Sequence, residues 1–188
     1  MDRKVQIDTF SRYSQVSRET IISLEKYENI LLEANNKLNL IGKSTIKQIW
    51  TRHFLDSFQV IDFIDINEEM ITDLGSGAGF PGIVLAIAAQ ERKIPIKFNL
   101  IEKSKKKTIF LEAVIKKLNL KANVITRNIF DEETKISSDI ITARAFKPLP
   151  VILKLIHNQA LNYKKFFVFL GKTGKEELLQ ASKLWDIK

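Results

Sequence analysis

Met70-Ile71-Thr72-Asp73-Leu74 runs directly into Gly75-Ser76-Gly77-Ala78-Gly79-Phe80-Pro81-Gly82, and this stretch decides the fold. The first five residues read as a buried strand. The glycines form a tight turn, and Gly82 to Gln90 continues as an apolar helix. Working outward, residues 97–101 form a second strand and residues 103–118 a helix, with Thr108, Leu111, Val114, Ile115 and Leu118 turned inward. Strands follow at 122–126, 139–143 and 165–170, and helices at 149–161 and 175–184. Strands alternating with helices at this spacing predict an α/β, Rossmann-like fold, a mostly parallel sheet with helices on both faces.

The segment before this unit reads differently. Ile21, Leu24, Tyr27, Leu31, Ala34 and Leu38 recur every three or four residues, which predicts a helix over 16–38. Ser44 or Thr45 then caps a second helix carrying Ile46, Ile49, Trp50, His53, Phe54, Phe58 and Ile61. Residues 1–65 are therefore expected to form an N-terminal helical cap. Residues 66–188 form the α/β body, and the two make one compact unit.

A glycine-rich turn at the first strand–helix crossover binds a ligand for a physical reason. Glycine tolerates positive φ and lets a ligand approach the backbone, and such ligands lie beyond the carboxyl ends of the strands. Glu102 closes the second strand, where its carboxylate can accept from both hydroxyls of a ribose. Two cofactors fit. Gly77 to Gly82 satisfies the dinucleotide pattern G-x-G-x-x-G. The register favours S-adenosylmethionine (SAM) instead, because Asp73 and Gly75 already end the strand and D-x-G-x-G-x-G is the SAM-type loop. Asp73 suits the cationic methionine end of SAM and would repel a pyrophosphate. Asp73, Gly75, Gly77, Gly79 and Glu102 are the cofactor-binding candidates on these grounds.

Composition narrows the field. The chain has 188 residues and a formal charge of +8, with a mean hydropathy of −0.08. No apolar run approaches the roughly 20 residues that span a bilayer. The absence of cysteine excludes disulfides and thiolate metal sites, and with no signal peptide a cytoplasmic location is expected. His53 and His157 are too far apart in sequence to predict a zinc site. The basic balance suits a nucleic-acid partner. However, 23 Lys against 7 Arg can equally reflect genome composition.

The lack of cysteine also bears on which methyl transfer is open, since C5 of pyrimidines is commonly methylated through a cysteine nucleophile. Exocyclic amines typically require a D/N-P-P-Y/F loop after the fourth strand, and that place reads Thr142-Ala143-Arg144-Ala145-Phe146-Lys147. Guanine N7 has a free lone pair and no proton, so it needs positioning rather than a general base. No catalytic base is therefore assigned. A ribose 2′-oxygen, with lysine as base, also remains open.

Several separated segments now converge. Asn36-Lys37-Leu38-Asn39-Leu40-Ile41, Arg52-His53-Phe54-Leu55-Asp56-Ser57, the Asp73–Gly82 loop with its Phe-Pro-Gly ending, Glu102 to Lys107, and Ala143-Arg144-Ala145 together resemble the RsmG/GidB family of bacterial 16S rRNA guanine-N7 methyltransferases. The resemblance runs from about residue 31 to 188. It implies methyl transfer from SAM to the guanine at position 527 of 16S rRNA in the small ribosomal subunit; separately, a monomer without a metal is expected. It also implies that Gly75 and Phe80 contact SAM, and that Asn128 and Ile129 flank the adenine mostly through backbone atoms. Arg144 lines the same pocket, near the methionine end or the incoming RNA. The chain departs from the family in two places. A lysine–glycine pair expected after the fifth strand is replaced by Leu170-Gly171-Lys172-Thr173-Gly174, which makes Lys172 a candidate for that lysine. The closing strand of the sheet is expected to be missing, because either the chain is truncated or the sheet is one strand short, and the edge would then be unpaired.

His53 sits on the apolar face of its helix and reads either as a core residue or as a contact to RNA or to the cap–body junction. Asp56 and Ser57 read as structural, fixing that helix to the body. Arg127 follows the third strand at the ligand end and is a candidate RNA contact. The lysines at 103 and 105–107 oppose the helix dipole at the start of their helix, and either meet phosphate or form a solvated face. Two other functions stay open: a small-molecule methyltransferase, and a ribosome-assembly module that keeps SAM without turnover.

Overall fold

The computed structural model describes residues 2–131 and 133–186. Five parallel strands form the sheet: β1 (Met70–Leu74), β2 (Lys97–Glu102), β3 (Ala122–Thr126), β5 (Ile140–Arg144) and β7 (Lys165–Phe169). Their order is β3-β2-β1-β5-β7. Strands β2 and β3 are added on one side of β1, and β5 and β7 on the other. The switch point between β1 and β5 opens a crevice at their carboxyl ends, the end from which the glycine turn and Arg144 emerge. Two-residue strands β4 (Ile136–Ser137) and β6 (Ala160–Leu161) pair separately. The helix expected to run to 161 therefore stops at Gln159.

Alternation along the strands builds a core on each face. Ile71, Phe98, Leu100 and Ile140 point to one face, against α5 (Gly82–Glu91) and α6 (Lys105–Leu118). Leu74, Ile101, Ile141 and Ala143 point to the other, against Ile152, Leu155 and Ile156 of α7 (Leu149–Gln159). Helix α5 is buried from Gly82 to Ala89, which is why its sequence is apolar all round rather than striped. Helix α8 (Gly174–Ala181) packs beside α7.

The cap adds α1 (Arg3–Ser14) and α2 (Arg18–Leu38). Ser17 caps α2 by accepting from the Thr20 N–H, and Asn39 ends it in the left-handed region. Helix α1 carries only one large buried apolar residue, Phe10, beside Gln6 and Ser14, so its periodicity is too faint to read from sequence. The single helix expected from Ser44 is instead broken into α3 (Lys43–Ile46), a π-turn at Trp50–Leu55, α4 (Asp56–Phe58) and a 3₁₀ turn at Gln59–Phe63. Trp50, Phe54 and Phe58 share one core with Phe10 of α1, Tyr27 of α2 and the residues of α5. Cap and body are thus continuous through their packing. Glu91 at the end of α5 reinforces this by accepting from Ser17 and Thr20.

Strand β7 lies at one edge of the sheet, and all five of its residues are half-buried. No strand follows it among the described residues.

Candidate active site

Gly75, Gly77 and Gly79 all take positive φ, at 67°, 55° and 95°. Their surroundings differ. A side-chain carbon on Gly75 would lie 2.1 Å from the Phe146 ring, and one on Gly79 would lie 2.7 Å from the Tyr27 hydroxyl. One on Gly77 would meet only the Gly75 carbonyl at 3.6 Å. The turn is therefore packed at both ends and open at its middle.

Two carboxylates hold this turn. Asp73 is fully buried. Its Oδ1 accepts from the Thr142 hydroxyl at 2.9 Å and its Oδ2 from the Gly82 N–H at 3.3 Å. Burial pushes its carboxyl up to about 6. Glu102 accepts from the Gly77 N–H at 3.0 Å and from the Ser104 N–H at 2.8 Å. Tyr27 of α2 donates from its buried hydroxyl to the Ala78 carbonyl.

These elements enclose a cavity of about 640 Å³ at the carboxyl ends of β1, β2, β3 and β5. Gly75, Gly77 and Phe80 form one wall, and Glu102 lies beside them. Asn128 and Ile129 approach from beyond β3, and Arg144 from the end of β5. His53 and residues Leu40 to Gly42 close it from the cap side. Lys103, Lys107, Arg127 and Lys147 also line it.

Asp73 and Gly79, both proposed from sequence to meet the cofactor, do not line the cavity. Asp73 has its oxygens engaged within the protein, and Gly79 packs against Tyr27 and Ile83. Both shape the turn from behind. Lys172 is exposed in the turn before α8, also outside the cavity.

Arg144 is more fully committed than the sequence indicates. It donates to Asp56 at 2.7 Å, to the Ser57 hydroxyl at 3.4 Å and to the Arg52 carbonyl at 2.6 Å, and it sits over the Phe169 ring. The Arg52–Ser57 motif and the Ala143–Ala145 motif, 87 residues apart at Ser57 and Arg144, are thus two halves of one latch between cap and sheet. The carbonyl it takes lies in the π-turn, where helix hydrogen bonding is already rearranged.

His53 stacks on Phe80, with ring centroids 4.8 Å apart and planes 18° off parallel. Both its ring nitrogens are buried without a hydrogen-bond partner. Burial, with Arg144 and Arg52 nearby, lowers its pKa to about 4, so the imidazole is neutral at pH 7.

Three features escaped the sequence reading. Phe130 and Phe146, both lining the cavity, stack on each other with ring centroids 5.7 Å apart. Ala145 holds φ at 46°, a left-handed position for a residue with a side chain. Such strain costs about 1–3 kcal/mol and is kept where the surroundings enforce it. Tyr27 reads only as a core position. Phe130 and Phe146 each lie just past a strand at the ligand end, and that position was the available signal.

A family model described as "GidB: rRNA small subunit methyltransferase G" matches residues 20–188. The ribosomal RNA small subunit methyltransferase G of Pelagibacter ubique (strain HTCC1062) is 44% identical over 173 residues, covering 91% of this chain and 81% of the relative. Its counterpart in Rickettsia felis is 39% identical over 171 residues, covering 91% and 85%. Among solved structures, a putative O-methyltransferase from Klebsiella pneumoniae superposes with a TM-score of 0.54 at 11% identity, covering 86% of this chain and 78% of that one. A SAM-dependent O-methyltransferase from Thermotoga maritima gives 0.51 at 19% identity, covering 68% and 48%. At these identities the structures speak for the fold alone.

Proposed function

This chain belongs to the GidB family of small-subunit rRNA methyltransferases, and from that premise we propose that it transfers a methyl group from SAM to N7 of one guanine in 16S rRNA. The observation that carries the reading is the open middle of the glycine turn, where Gly77 donates to Glu102 and both line one cavity. An open stretch of backbone beside a carboxylate suits a nucleoside with a charged tail.

SAM supplies a sulfonium-bound methyl group, which any well-placed lone pair can accept. The protein's task is then orientation. Gly75, Gly77 and Phe80 would hold the methionine portion, with Asp73 and Gly79 fixing the turn from behind. Glu102 would accept from the ribose hydroxyls, giving up the Gly77 N–H to do so. Asn128 and Ile129 would border the adenine, beside the Phe130–Phe146 pair. Guanine N7 carries no proton, so the transfer needs no general base.

Besides Arg144, which is tied to Asp56, four cations line the cavity: Lys103, Lys107, Arg127 and Lys147. They suit the phosphates of an RNA strand entering it, and affinity should fall with salt accordingly. His53 and Arg127 would then face substrate, whereas Lys172 is further off. Among the described residues, no helix is long and apolar enough to cross a membrane. No cluster of side chains there could hold a metal ion. We read the protein as a cytoplasmic monomer acting on the small subunit.

The test is methyl transfer from labelled SAM to small subunits lacking the modification, with Gly75→Asp as control. Label on one guanine as N7-methyl, absent with the variant, is the expected result. Cofactor binding without label on any subunit would count against the enzyme reading and for an assembly module. Label on small molecules alone would point to the small-molecule enzyme.

A further inference from the structure

An imidazole with two buried, unpartnered nitrogens is an expensive thing to keep, because each lost hydrogen bond to water goes uncompensated. His53 is such a group, and it lies on the cavity wall. Its plane is set by Phe80, which belongs to the glycine turn itself. Neighbouring Arg144, the side chain otherwise suited to read guanine, has both terminal nitrogens on Asp56, Ser57 and the Arg52 carbonyl.

We propose that His53 determines specificity for guanine by donating a hydrogen bond from its ring to O6, leaving N7 free for the methyl group. This rests on the rRNA guanine-N7 reading above. O6 lies beside N7 on the same edge of the base, and adenine presents a donor there instead of an acceptor. A neutral donor suits the site, because N7 methylation leaves the base cationic and a guanidinium or ammonium on O6 would repel that charge. The movement required is small. A half-turn of the imidazole about its Cβ–Cγ bond keeps the plane on Phe80 and exchanges nitrogen positions with carbon positions. Histidine tolerates that rotation, since its ring torsion is broadly two-fold. The bond to O6 then satisfies one nitrogen and selects the tautomer.

The experiment is a cycle of two enzymes and two substrates. His53→Phe keeps the stack on Phe80 and removes the donor. Small subunits assembled with 2-aminopurine in place of the target guanine keep N7 and remove O6. On guanine subunits, His53→Phe should lose about 10- to 100-fold in kcat/KM, the usual range for one base-reading contact, with SAM affinity unchanged. Wild type should lose a similar factor on 2-aminopurine subunits, and His53→Phe should lose no more there. His53→Gln, which restores a donor, should recover part of the rate on guanine and none on 2-aminopurine; it also serves if the Phe variant folds poorly. Losses that multiply across the cycle overturn the proposal, as does a fall in SAM affinity matching the fall in rate. Wild type that binds SAM but labels neither subunit instead overturns the rRNA reading on which this one stands.

Discussion

Gly75 and Gly77 share a backbone conformation but differ in their neighbours, and that separates two costs. An alanine at Gly77 pays only for the left-handed backbone, about 1–2 kcal/mol, with its nearest contact at an ordinary 3.6 Å. An alanine at Gly75 also drives a carbon into the Phe146 ring at 2.1 Å. Urea midpoints should fall for both and clearly further for Gly75→Ala. Equal losses would mean that Phe146 gives way freely. The buried acids and bases nearby oppose each other in pH. His53 is protonated near 4 in the fold and near 6.5 in a free chain, so its contribution is full above about 6.5 and is lost as pH falls toward 4. Asp73 is raised to about 6 from an ordinary 3.8. The folded state therefore binds its proton more tightly, and its contribution to stability falls as pH rises from 3.8 to 6. The wild type should show little net slope from this pair between pH 4 and 6. In His53→Gln the Asp73 slope stands alone, so the variant gains stability relative to wild type as pH drops from 6.5 to 4.5. A constant difference across that window would show that His53 does not titrate as its burial requires.

At the scale of elements, polar contacts fix the ligand side of the apolar core that cap and body share. Tyr27 shows this most simply. Its hydroxyl reaches from α2 to the Ala78 carbonyl inside the glycine turn, where burial leaves the carbonyl no water to turn to. Tyr27→Phe should cost about 1–3 kcal/mol of stability and weaken SAM binding, measured by calorimetry on the folded variant. Unchanged SAM affinity would show that the turn holds its shape without α2. Strand and helix positions in the body were legible, because alternation and buried apolar runs are local signals. The strand at 70–74 and the turn after it follow directly from their residues. The joints were not legible. Nothing local to Tyr27 distinguishes a core aromatic from one that donates to a turn 51 residues away. The same holds for Arg144 and Asp56, whose pairing needs the fold to bring them together. The break in the second cap helix was hidden for a related reason. Trp50, Phe54 and Phe58 keep helical spacing, and the π-turn whose Arg52 carbonyl accepts from Arg144 of a distant strand leaves no mark in that spacing. The glycine turn and Glu102 were the readable half of the site, and its aromatic pair and its latch were not.

The whole molecule folds around a core that ignores the boundary at residue 65. Phe10, Tyr27 and Trp50 from the cap pack in the same cluster as Ile83 to Ala89 and Phe98 of the body, so neither part can open without exposing the other's apolar surface. Unfolding should accordingly be one transition. The two tryptophans allow a test. Trp50 is fully buried in the cap, and Trp185 packs against His157 of α7 in the body. In a Trp185→Phe variant, fluorescence reports the cap alone, while far-UV circular dichroism reports the helices of cap and body together. The two urea curves should coincide. Ligand linkage sharpens the test, since SAM at 100 times its Kd adds about 2.7 kcal/mol to whatever unit binds it. If the cap is part of that unit, Trp50 fluorescence must shift by the same amount as the circular dichroism, although Trp50 does not line the cavity. A cap that melts earlier, or that ignores the cofactor, would make it a separate module resting on the sheet. The Tyr27 and Arg144 contacts would then be incidental to the shape of the site. Coincident shifts would mean that an RNA docking against the cap and a cofactor seated in the turn act on one cooperative structure.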